Sequence, residues 1–326
     1  MLKFNFFRQK GNDFMKNSSR FKGILLVVIG TLLWGVSGVA AQYLFESENF
    51  TPEWLVVVRM IIAGAIMLIY STLKGDKNVY AIWSKKENII KILVFALIGM
   101  LGVQYTYFAA ILHGNAATAT ILQYLSPVII TVYLAFCNKK LPSLKQIVCI
   151  LMAILGTFLI ITKGNLSTLS ISKEAVFWGV LSAITCAIYT LQPAELLKKY
   201  GSLCVVGWGM LIGGIAFSFI YPPFNCSGNF SVKSILAIAL VVLFGTLIAY
   251  YCYLESLKYI DPSETSVFTC VEPLSASILS MIFFNVSFSF IQLVGALCII
   301  VTISILSFSK KDDNLEDINE CGTIIN

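Results

Sequence analysis

Two charged residues fall deep inside apolar runs, and their chemistry sets the requirements on the rest of the chain. Glu272 precedes Pro273 in VEPLSASILSMIFF, about nine residues or 13 Å into its run at the helical rise. A carboxylate there needs a partner, water or a cargo charge, and it is the kind of group that a proton-coupled step uses. Arg59 lies about seven residues, or 10 Å, into another run, where insertion costs about 2.5–3.5 kcal/mol. It either snorkels to the headgroups, forms a structural pair with Glu272, or meets a cargo carboxylate.

Polar and aromatic residues recur at comparable depth. Trp34, Gln104, Tyr107, Gln123, Tyr189, Tyr250 and Tyr253 are expected to line a cavity together with Arg59 and Glu272. Pro127 and Pro273 each remove a backbone donor and are expected to break their helices beside that cavity. Glu195 and Glu255 each have a lysine three residues on (Lys198, Lys258), which suits exposed helical pairs.

The elements that must position these groups are apolar helices. Apolar residues make up 58% of the 326 and charged residues 12%, half the charge of a soluble domain, with mean hydropathy +0.84. At about 20 residues per crossing, ten spans are read: 23–44, 53–73, 92–112, 116–136, 146–162, 175–194, 203–221, 234–257, 263–284 and 288–308. Without the alternation of a barrel, an all-α membrane protein follows.

Charge placement orients the chain. Of 23 Lys and Arg, Lys163, Lys173 and Lys233 fall on one side and Arg59 in a span, while all others fall on the opposite side. That side is the cytoplasm, and both termini belong there. The net charge of +6 is this topological signal beside anionic lipid, with no nucleic acid required. Residues 1–21 read as a cytoplasmic N-terminal tail, in which Met15 is an alternative start, and 309–326 as a disordered cytoplasmic tail. Nine cysteines contain no C-x-x-C, and most fall within spans as small apolar groups, so no metal and no cofactor is expected. Sequons occur at Asn165, Asn225 and Asn229 and matter only in a secretory pathway.

The chain also repeats itself. At an offset of 146, Gly99 meets Gly245, Tyr107 meets Tyr253, Pro127 meets Pro273, Ser143 meets Ser289 and Gln146 meets Gln292, which defines five-helix repeats over 22–162 and 175–308. Five is odd, so the second copy enters from the other side. Two inverted repeats with polar groups at mid-depth point to a secondary transporter.

The residues resemble the drug/metabolite transporter superfamily and its EamA-type ten-helix members. The resemblance rests on Gly23 to Trp34-Gly35, Pro52 with Arg59, YLSPVIITVYLAF with the following Q-I-V, VEPLSASILSMIFF and IQLVGALCIIV, and covers about 22–308. It implies an inner-membrane carrier with helices one to four and six to nine around a central cavity, moving amino acids or similar small metabolites, often outward. No acid precedes Pro127. Also absent is the span-one glutamate of the small multidrug members, which sets multidrug or quaternary amine export second. An intramembrane enzyme lacks its nucleophile and base, and a non-transporting sensor lacks an output domain. Oligomeric state, a monomer included, is left open.

Overall fold

The computed structural model describes residues 2–137, 143–163, 171–260, 265 and 268–309, with side chains described from residue 20 except at 303 and 306–309. Lys139, Lys140, Asn165, Asp261 and the acidic tail lie outside the described residues. The first helix, α1 (Leu2–Ser47), runs unbroken into the stretch read as a tail. It is followed by α2 (Pro52–Leu73), α3 (Lys86–His113), α4 (Ala116–Cys137), α5 (Leu144–Thr162), α6 (Lys173–Leu191), α7 (Ser202–Ser218), α8 (Val232–Ser256), α9 (Val271–Phe284) and α10 (Phe290–Ser309). No strand occurs among the described residues.

Among the described residues, seven helices are long and apolar enough to cross a membrane: α1 from Arg20, α2 to α6, and α8. Three shorter apolar ones are α7, α9 and the Phe290–Thr302 part of α10. Local chemistry starts them. Pro52 opens α2 behind Thr51, whose hydroxyl accepts from the Trp54 amide at 3.3 Å. At α5, Ser143 and Gln146 form a capping box. Ser289 and Gln292 repeat it at α10, with amide bonds of 3.1 and 3.3 Å. Both α3 and α8 loosen into π-helical turns, Phe95–Met100 and Leu240–Ile248, around the matched Gly99 and Gly245.

Glycines set how closely helices approach. A Cβ on Gly64 of α2 would lie 2.6 Å from the Leu211 amide nitrogen, and one on Gly214 of α7 would lie 3.0 Å from that of Ile61. Gly207 packs on Leu68, so α2 and α7 run antiparallel. The same holds for α5 and α10. Gly156 and Gly295 each face the other's carbonyl, 2.6 Å from a built Cβ, and Thr302 Oγ1 lies 3.4 Å from the Cys149 carbonyl. Between these seams, α1 packs on α8 and α9, and α6 packs on α3 and α4. The glycines of the α7 pattern G-x-x-x-G also serve packing, Gly209 on Phe95 and Gly213 on the Ala96 carbonyl.

Candidate functional site

The two prolines sit where their helices fail. In α4 the turn Tyr124–Leu125 interrupts the helix ahead of Pro127, and a turn at Thr269–Cys270 precedes α9 and Pro273. Proline supplies no N–H, so the Thr269 carbonyl accepts instead from the Glu272 amide three residues on, at 2.9 Å. Tyr124 is a second donor there: its hydroxyl lies 2.6 Å from the Thr269 carbonyl oxygen and 3.1 Å from Glu272 Oε2. One break is thereby tied to the other. From the opposite side α1 closes in with Gly35, where a Cβ would stand 2.9 Å from the Glu272 carbonyl oxygen. That carbonyl accepts from Ser275 Oγ at 2.8 Å.

Arg59 is 5% exposed, so it does not snorkel. Its Nε donates to Thr246 Oγ1 at 3.1 Å, and its guanidinium lies 4.7 Å from the centre of the Phe108 ring. Thr246 reaches this place from a π turn, its hydroxyl bonding back to the Val241 carbonyl at 2.9 Å. Arg59 and Glu272 form no ion pair among the described residues, which removes the structural pair as an explanation of either charge. Tyr107 stands within electrostatic reach of both, with its hydroxyl 2.8 Å from Thr120 Oγ1.

Aromatic residues continue this lining. Trp34 packs on Tyr250 and on Tyr253, each with ring centres 5.2 Å apart. Tyr189 stacks on Phe95 at 5.6 Å within electrostatic reach of Tyr250 and Tyr253. Trp34, Tyr107, Tyr189, Tyr250, Tyr253 and Glu272 all keep partial accessibility, and they are the candidate lining of a hollow between their helices. Two clefts of about 160 and 250 Å³ lie elsewhere, the first by Glu53 and Trp54, the second by Lys145 and Ile305.

Other expected residues go different ways. Gln123 donates to Ser182 Oγ at 2.7 Å and staples α4 to α6. Gln104 is buried with its amide 3.9 Å from Met100 Sδ of its own helix. Glu195 pairs with Lys91 at 2.6 Å and not with the expected Lys198, because α3 crosses beside it; Glu255 does pair with Lys258, at 2.6 Å. Among the described residues no group of three or more His, Cys, Asp or Glu is placed to hold a metal, and the described cysteines are free. Sequence reasoning passed over Tyr124 and Thr246 as site residues. A signal existed for Tyr124, which lies within the repeated YLSP segment, and for Thr246, which follows the repeated Gly245.

Residues 21–162 and 173–308 each match the EamA-like transporter family. The chain belongs to that family. It is therefore a multi-pass membrane transporter, with a small-molecule cargo and a lipid surround, and not an enzyme. A relative in Salmonella typhimurium, the uncharacterized inner membrane transporter YicL, is 37% identical over 290 residues, covering 89% of this chain and 96% of its own. A WAT1-related chloroplastic protein of Arabidopsis thaliana is 26% identical, covering 86% of this chain and 68% of its own. The uncharacterized transporter YyaM of Bacillus subtilis is 24% identical, covering 77% and 83%. A solved crystal structure at 17% identity superposes with a TM-score of 0.60 over 87% of this chain and 95% of its own, a likeness of fold alone.

Proposed function

We propose that this EamA-like protein is a secondary carrier that exports amino acids or similar small polar metabolites across the cytoplasmic membrane by alternating access. The observation that carries the cargo class is the pair of opposite charges, Arg59 and Glu272, left unpaired with each other around Tyr107. Holding two such charges inside a membrane bundle costs several kcal/mol each unless something else meets them. A zwitterion does so, its carboxylate at Arg59 and its ammonium at Glu272, while Trp34, Tyr189, Tyr250 and Tyr253 take the apolar part.

Alternating access rests on ten spans forming two inverted repeats, 22–162 and 175–308, with both termini cytoplasmic. The seams support this. The contact of Ile61 with Gly214 becomes that of Gly207 with Leu68 when 146 is added to one number and subtracted from the other, and Gly156 with Gly295 likewise becomes Thr302 with Cys149. Antiparallel helices meeting in this self-complementary way are what a two-fold axis in the membrane plane generates. Matched breaks at Pro127 and Pro273 and matched π turns agree with it.

Uptake of labelled amino acids into inverted vesicles tests the proposal. Wild type should accumulate label, and uptake by Arg59→Ala and Glu272→Gln should fall at normal expression. Full uptake by both variants overturns the assignment of these charges to the cargo.

A further inference from the structure

Tyr124 has one hydroxyl proton and two acceptors, the Thr269 carbonyl at 2.6 Å and Glu272 Oε2 at 3.1 Å. The first also accepts from the Glu272 amide at 2.9 Å, and the second belongs to the carboxylate one residue before Pro273. Glu272 Oε1 has no hydrogen-bond partner among the described residues, and Glu272 keeps partial accessibility. The carboxylate is thus held by one oxygen and left open at the other. At the matched position of the second repeat stands Cys270, which cannot reach across in the same way. The tie therefore runs one way, from the first repeat to the second.

We propose that Tyr124 is a specificity-determining positioning residue. It clamps Oε2 of Glu272 so that Oε1 faces the hollow, and this selects cargo carrying an ammonium group. The proposal rests on the reading of Glu272 as the cargo's cationic partner. Phenylalanine at position 124 would keep the ring and its packing while removing only the clamp.

The test uses the full chain in proteoliposomes, with an equimolar mixture of labelled L-amino acids taken up against unlabelled L-leucine, isoamylamine or 4-methylpentanoate as competitor. Tyr124→Phe should weaken competition by L-leucine and isoamylamine about tenfold, the size of one hydrogen bond to a charged group. Competition by 4-methylpentanoate should stay as in wild type. In a Glu272→Gln background, adding Tyr124→Phe should change nothing further. Equal weakening for 4-methylpentanoate, an additive double variant, or no change in Tyr124→Phe each overturns the clamp. If Glu272→Gln itself leaves amine competition intact, or wild type takes up no label, the cargo reading has failed instead.

Discussion

Replacing Gly35 with alanine probes how closely α1 must approach the Glu272 backbone. The added Cβ would meet Ser275 Oγ, and it would stand 2.9 Å from the Glu272 carbonyl oxygen and 3.0 Å from the Ala276 nitrogen. Ordinary contact at a Cβ begins at 3.4 Å, and two of these three atoms are backbone, so a rotamer change relieves only the first. Helix α1 must withdraw by about 0.5 Å, and overpacking of this kind costs about 1–3 kcal/mol. The Glu272 carbonyl is the group being pushed, so the 3.1 Å contact between Tyr124 and Glu272 moves toward the limit of a hydrogen bond. Purified Gly35→Ala should unfold at a temperature lower by about 2–4 °C per kcal/mol, and its uptake per folded carrier should fall. Adding Ser275→Ala removes the side-chain collision but not the backbone ones, so it should restore part of the loss. A variant with wild-type unfolding temperature and uptake would refute the close approach of α1 to α9.

Two other outcomes follow from the seams and the link between α1 and α2. Thr302→Cys places a thiol beside native Cys149, whose carbonyl lies 3.4 Å from the threonine hydroxyl; a short thiol-specific cross-linker should join α5 and α10 within one chain, and absence of the cross-link would contradict their antiparallel register. Glu48 Oε1 accepts from Tyr43 at 2.6 Å and Ser231 at 2.7 Å, and these bonds, with Lys233 nearby, hold its carboxyl below the ordinary carboxylate range. Stability from a depressed carboxyl is present above its unfolded value and lost as pH falls through the folded one. Amides at Asn229 and Ser231 should therefore begin to exchange faster only below that range, and Glu48→Gln should abolish this acid step; an unchanged step in the variant would show that another group causes it.

The parts of this fold legible in the sequence are those that depend on local chemistry. Apolar runs, capping residues at 143 and 289, and prolines at 127 and 273 carry their own structural consequence, and the 146-residue register is visible as identities. Partners across the bundle are a different matter. Thr246 meets Arg59 from 187 positions away, and only because the helix around Gly245 widens into a π turn that no residue pattern announces. Glu195 illustrates the same limit from the other side, since helical spacing offers Lys198 but tertiary packing delivers Lys91. Gln123 and Gln104 look like Arg59 in being polar at mid-depth, yet one staples two helices and the other rests on a methionine. Polarity at depth marks a need for a partner and does not name it.

Ligand discrimination by two single variants measures the division of labour between the opposite charges. With labelled amino acids in proteoliposomes, Arg59→Gln should lose competition by 4-methylpentanoate while keeping that by isoamylamine, and Glu272→Gln should do the reverse. Loss of both competitors to the same degree in each variant would contradict a hollow whose two opposite charges receive the two ends of the cargo.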